Sequence, residues 1–321
     1  MKSLNIFIII LIAIQIQAGN GLDSLQIKSI EIPCLKLELL GLDCDACGCS
    51  AGNGSSGFET LLQSQFVGVK YFAQHYKAKE NAFVNQANYD QYFNTIMLWS
   101  RISLTEKLEV YGSIPYHFHN RETNFGNQNI KGIGDATVMG IYTLLNKQTE
   151  KMNHHQLNLG GGVKIPLGKF NESSASGTNP SFQLGTGSWD VLMALNYRYE
   201  FGKSAVMLGL DYTLKGENEK KYEFGDQFNY SVAYHHYFIR KENFILTGRT
   251  GFQGEIYQPN KQFGEILNRT SGDALFGKAG FELGYKNWSL GSEWMLPVVS
   301  NLGSNDIEAR SRFSFFLNFG L

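Results

Sequence analysis

Three of the four cysteines in this chain stand within a six-residue stretch, Cys44, Cys47 and Cys49, and the fourth, Cys34, lies upstream. Two chemistries suit them. In an oxidising compartment they can close as disulfides, for which three full pairings exist. Alternatively, Cys44-x-x-Cys47 lets two thiolates meet one ion, with Cys49 as a third donor. Thiolates select soft ions such as copper(I), or zinc. Haem attachment does not fit, because Gly48 stands where that motif carries histidine. Disulfide, metal and a redox role all remain open. The adjacent histidines His154/His155 and His235/His236 are different. Neighbours in an extended chain point to opposite faces, so neither pair closes on one metal. No Gly-x-Ser-x-Gly segment occurs, and no nucleophile, base and orienting group can be assembled from the sequence, which argues against an enzyme.

A second set, His117, His119, Asp135, Lys164 and Asp190, becomes a site only if the fold gathers it. From about residue 64 onward apolar and polar residues alternate, the period of a sheet with two unlike faces. In WDVLMALNYRYEF, residues 189–201, Trp189, Val191, Met193 and Leu195 share one face, and Asp190, Ala194, Asn196 and Arg198 the other. Twelve such segments are expected, at 64–77, 91–103, 106–119, 133–146, 153–166, 186–201, 203–216, 225–239, 242–256, 274–286, 287–298 and 309–321. The second, QYFNTIMLWSRIS, alternates poorly. Short connections such as FGK and RKEN take turns with long polar ones such as KFNESSASGTNPSFQLGTG. An even number of antiparallel strands, with short turns at one end and long loops at the other, predicts an all-β transmembrane β-barrel of the outer membrane. A sheet in lipid must close, because an open edge leaves backbone groups unpaired.

The first residues, MKSLNIFIIILIAIQIQAGN, read as a signal peptide over 1–18: Lys2, an apolar run to Ile16, and small residues at Ala18 and Gly19. The expected organisation is then 1–18 signal peptide, 19–63 a periplasmic or luminal cysteine-containing segment, and 64–321 the barrel. The formal net charge of −1 argues against a nucleic-acid partner. A last strand presenting Phe313, Phe315, Leu317 and Phe319 on one face resembles the signal read by the barrel-assembly machinery. The remaining expected partners are outer-membrane lipid, lipopolysaccharide and an unidentified small solute.

Four stretches carry a family resemblance: SIPYHFH (113–119), GIGDATVMGIY (132–142), GGVKIPLG (161–168) and GTGSWDVLMALNY (185–197). Together they resemble the outer-membrane proteins of the phenol-degradation meta-pathway family, often described as transporters. The CDACGCSAGNG segment resembles a Bacteroidetes-type branch of such proteins. The resemblance implies an outer-membrane barrel that passes small molecules, without defining a phenolic substrate or the role of the cysteines.

If the apolar faces meet lipid, Lys70, Arg101, Glu109, Asp135, Lys164, Asp190, Arg198, Glu200, Asp211, Lys215, Arg249, Lys278, Glu282, Glu293, Arg310 and Arg312 line the lumen. Both signs are balanced, which predicts a narrow pore of weak charge selectivity. About eight strands leave room only for side chains and about 16 leave a water channel, so twelve is intermediate. Topology brings His117, His119, Asp135, Lys164 and Asp190 to one height near the extracellular mouth. They form either a brace that fixes register or a gate and first binding site for an anionic or aromatic solute. The function expected is passive passage of small solutes, linked through the cysteines to copper or zinc. The alternative is a barrel with a binding, structural or metal-sensing role.

Overall fold

The computed structural model describes residues 65–78, 89–123, 126–149, 153–171 and 180–321. The four cysteines, the expected signal peptide and the rest of the segment up to residue 64 lie outside the described residues. Twelve antiparallel strands close on themselves. They are β1 Phe66–Ala78, β2 Tyr89–Ser103, β3 Leu108–Thr123, β4 Gly126–Ile133 with β5 Ala136–Gln148 as the two halves of one strand, β6 His154–Ile165, β7 Asp190–Phe201, β8 Ser204–Leu214, β10 Gln227–Lys241, β11 Phe244–Tyr257, β14 Gly272–Tyr285, β15 Trp288–Leu302 and β16 Ile307–Gly320. Each pairs with its chain neighbour, and β1 pairs with both β2 and β16. The ring is thereby closed, as a sheet in lipid requires, and only β4, which stands above it, pairs on one side alone, with β3.

Alternation decides which side chains go where. Along β1, Phe66, Gly68, Lys70, Phe72, Gln74 and Tyr76 turn inward and are buried, while Val67 and Val69 are exposed. The same division holds around the wall. Leu98, Ile114, Val138, Leu159, Val191, Leu208, Val232, Phe281 and Leu317 are exposed on the outside. A closed barrel with an apolar exterior spans a membrane. Trp189, Trp288 and Trp294 stand in the outer belt, 50–63% exposed. Trp99 does not join them and is buried in the lumen. Its strand, β2, alternates poorly in sequence because Phe93, Met97 and Trp99 face inward while Tyr92, Ile96 and Leu98 face out, so both faces are apolar.

The structure corrects three expectations. Arg310 is exposed rather than luminal. The β1–β16 register slips there, His75 pairing Ser311 and Tyr76 pairing Ala309, so Arg310 is the extra residue of a bulge and turns out to Glu308, 3.2 Å away. The fourth strand begins at Gly126, not 133, because Thr123 and Gly126 pair and the expected loop is a β3–β4 hairpin rising from the wall. The loops after β8 and β11 carry a small sheet of their own, β9 Tyr222–Glu223, β12 Lys261–Gln262 and β13 Glu265–Ile266. Lys261 meets Glu223 at 2.8 Å there, which raises the lysine pKa.

Candidate functional site

The lumen is layered. At the end where β1 begins and β16 finishes, Phe66, Met97, Trp99, Tyr111, Met139, Ile141, Ala194 and Phe316 form a buried apolar layer. Phe66 stands edge-on to Trp99 with ring centres 4.6 Å apart, a favourable aromatic geometry. Cations border the layer: Lys70 lies over Trp99, Arg101 over Phe66 and Arg249 over Phe316. The expected charged lining was only part of the interior. Inward aromatics were hard to read from sequence because an apolar residue on the polar face looks like a lapse in alternation.

Above this layer Arg249 on β11 meets Glu293 on β15 at 2.9 Å, and at the turn end of β2 and β3 Arg101 approaches Glu109 at 3.7 Å. Arg198 hydrogen-bonds Glu200. Beside them a small cavity of about 40 Å³ is lined by Asn196, Asp211, Ser231, His235, Arg249, Lys278 and Glu293, among others. It holds a few waters by volume. Higher still, Arg312 donates from both terminal nitrogens to Glu255, at 2.5 and 2.8 Å, and to the Tyr76 hydroxyl at 2.6 Å. Tyr257 donates to the same carboxylate at 2.6 Å. Arg312 on β16 and Glu255 on β11 are fully buried, and their bidentate bond spans a chord of the barrel rather than neighbouring strands. Bidentate pairing fixes direction as well as distance.

The outer mouth is filled by the connection between β6 and β7. Its residues Ser181, Phe182, Gln183, Leu184, Gly185, Thr186 and Ser188 are all buried. Phe182 stands tilted to Phe93 and 4.9 Å under the Arg121 guanidinium. Three expected site residues hold this segment. Lys164 meets Asp190 at 2.5 Å, Asp135 at 3.3 Å and the Thr186 hydroxyl at 2.6 Å. Asp135 accepts from the Gly168 and Thr186 amides, each at 2.9 Å, and from the Thr186 hydroxyl at 3.0 Å. Asp190 accepts from the Ser188 hydroxyl and the Gly216 amide. Asn218, from the next outer loop, donates to the Thr186 carbonyl. Gly185 is needed here: a Cβ would come within 2.3 Å of an Asp135 carboxylate oxygen and 2.8 Å of Gly168.

His117 and His119 stand beside this network rather than in it. Their rings are 4.7 Å apart. His117 Nδ1 bonds the Thr95 hydroxyl at 2.8 Å, and His119 Nδ1 accepts the Asn94 amide at 3.2 Å. The His117 ring lies against Gly134, where a Cβ would approach its Nε2 to 2.1 Å. His119 packs on Phe93 and Phe182. The structure thus brings Asp135, Lys164 and Asp190 together and sets the two histidines under the same segment. Thr186 and Ser188, the hydroxyls that complete the network, fall in the segment expected as strand from 186, whereas β7 begins at Asp190 and both lie in the loop before it. Among the described residues no group of three or more His, Cys, Asp or Glu is gathered as for a metal. His154 bonds Asn146 and His155 bonds Tyr197, while His235 faces the lumen and His236 the exterior.

No family model and no curated protein matches the chain. Solved structures do. A COG4313 outer membrane channel from Pseudomonas putida F1 superposes with a TM-score of 0.59 at 14% identity, over 83% of this chain and 98% of its own. The β domain of the Bordetella autotransporter BrkA gives 0.50 at 11% identity, over 80% of this chain and 100% of its own. At such identities the likeness is one of fold, and the fold is that of a twelve-stranded outer-membrane β-barrel.

Proposed function

We propose that the chain is a passive outer-membrane channel of low conductance for small polar solutes, of the phenol-degradation meta-pathway type. The observation that carries this is the pairing of a closed barrel with luminal charges of both signs around a small polar cavity. Balanced charge lets a solute trade hydration for alternating donors and acceptors without a strong preference for either sign. The similar barrel from Pseudomonas putida is described as a channel, which supports the reading. The short turns, at 104–107, 202–203, 242–243 and 286–287, lie at one end and belong to the periplasm, and the longer loops face outward.

Passage is controlled at the outer mouth. Asp135, Lys164 and Asp190 clamp the β6–β7 segment across the lumen, and a solute passes when that segment yields. The clamp is the entry gate, and the histidines beneath it form the first surface a solute meets. Purified protein in planar bilayers should give small ohmic steps, and liposomes should swell with small polar solutes. Liposomes that stay tight to every solute, with the gate intact or loosened, overturn the channel reading. The dense packing of the lumen favours a second reading, a plugged barrel with a binding or structural role, and tight liposomes are its expected result. The cysteine segment adds a copper or zinc link in this proposal. Metal content after reducing purification tests it, and equal copper and zinc in Cys47→Ser and parent overturns it.

A further inference from the structure

The seam between β15 and β16 is broken. Pairing runs from Trp288–Phe319 up to Met295–Arg312 and then resumes only at Leu302–Ile307. Seven steps along β15 answer five along β16, so β15 carries two residues in excess. Elsewhere the register slips one residue at a time, at Thr143/Leu145, Tyr237/Ile239, Leu275/Phe276 and His75/Tyr76. Two of those single slips flank the gap, in the β14–β15 and β1–β16 ladders, with Val298 and Arg310 as the extra residues. Pro297 stands in the open stretch and has no N–H to offer a ladder. The Ala309 amide is met there by a side chain, the Ser300 hydroxyl, at 3.0 Å.

The gap opens where the apolar wall reaches its outer edge. On the β15 side Leu296, Val298 and Val299 face outward with 41–61% exposure, so apolar wall continues along that strand. On the β16 side the gap holds the outward pair Arg310 and Glu308, and Asn301 marks its upper end. The wall is weakest here, because a side-chain bond from the Ala309 amide to Ser300 stands in place of strand pairing. The interior behind it is also unlike the charged middle of the lumen. Phe276, Met295, Leu302, Ile307 and Ala309 form a buried apolar cluster there, continued inward by Tyr76, Phe93, Tyr257 and Phe182. The Arg312–Glu255 bond lies at the last paired rung beneath the gap and ties β16 across the barrel.

We propose that this seam is a lateral portal, through which small apolar or aromatic molecules exchange between the apolar cluster and the outer leaflet of the membrane. It goes beyond the channel reading, because this route leaves through the wall and bypasses the lower aromatic layer. The portal is closed in this structure, and it opens by separation of 296–301 from 308–311, where few ladder bonds resist.

The test uses the full chain with its native cysteines replaced (C34S/C44S/C47S/C49S) and a staple added, S300C/A309C. In cells whose lipopolysaccharide leaflet resists apolar probes, uptake of N-phenyl-1-naphthylamine is compared with permeability to a small polar solute. The parent should raise apolar uptake above cells lacking the protein. The oxidised staple should remove most of that increase, a reductant should restore it, and polar permeability should stay unchanged. Val299→Lys, which places a charge at the portal and leaves the ladder alone, should reduce apolar uptake in the same selective way, so the test stands if the staple fails to form. Apolar uptake no higher than in cells lacking the protein overturns the portal. So does uptake indifferent to both changes, or an equal fall in both permeabilities. The channel reading stands or falls separately, on polar conductance.

Discussion

At the scale of single residues, the mouth network is an all-or-none arrangement. Lys164 sits between two carboxylates whose side chains are at most 3% exposed. Removing one partner of a buried ion pair leaves an uncompensated charge and costs about 3–5 kcal/mol. Lys164→Met should therefore lower the midpoint of heat-induced gel-shift unfolding clearly, whereas Lys221→Met, at an exposed pair with Glu217, should change it little. If both variants melt with the parent, the network contributes nothing. The wall gives a complementary test. Leu208 is 44% exposed toward lipid, so Leu208→Arg should cost about 2–4 kcal/mol near the midplane. Asn196, inward on the next strand, donates to the Leu208 carbonyl at 3.2 Å, and Asn196→Ala should cost about 1 kcal/mol, one ordinary hydrogen bond. Denaturant titration of the refolded barrel in lipid separates the two, and equal losses would reverse the inside and outside faces.

At the scale of elements, the β6–β7 connection is the part that controls passage in the proposed channel. Its seat depends on close backbone approach at Gly168 and Gly185. Gly185→Ala should push the segment off Asp135 and raise single-channel conductance, with only a modest loss of barrel stability because no wall strand is altered. Phe182→Ala should act in the same direction by emptying the space between Phe93 and Arg121. Bilayer recordings check both. Conductance identical to the parent in both variants would mean that the restriction lies lower, at Phe66, Trp99 and Phe316.

At the scale of the whole molecule, closure is the source of stability. The strands form a closed ring, interrupted only in the upper β15–β16 ladder, so unfolding requires the ring to open against the ladders that remain. The protein should fractionate with the outer membrane and migrate faster unheated than heated on a denaturing gel. A soluble periplasmic pool with no membrane-associated form would contradict the closed barrel.

The number of strands, their order and the lipid face were legible in the sequence because a barrel wall obeys a two-residue period that lipid enforces on every strand. Asp190, Asn196 and Lys164 read as inward, and Leu208 and Val191 as outward, from alternation alone. Alternation fails where a bulge adds a residue, and Arg310 shows the result: one extra position turns a luminal side chain outward. It is silent on pairs across the lumen, because Arg312 and Glu255 are brought together by curvature and not by sequence spacing. The sequence placed Asp135, Lys164 and Asp190 at one height through topology. Only the tertiary structure decided that a folded-in loop, through Thr186, Ser188 and the Gly168 amide, completes their hydrogen bonding. A loop carries no period, and its path is fixed by the buried groups it must satisfy.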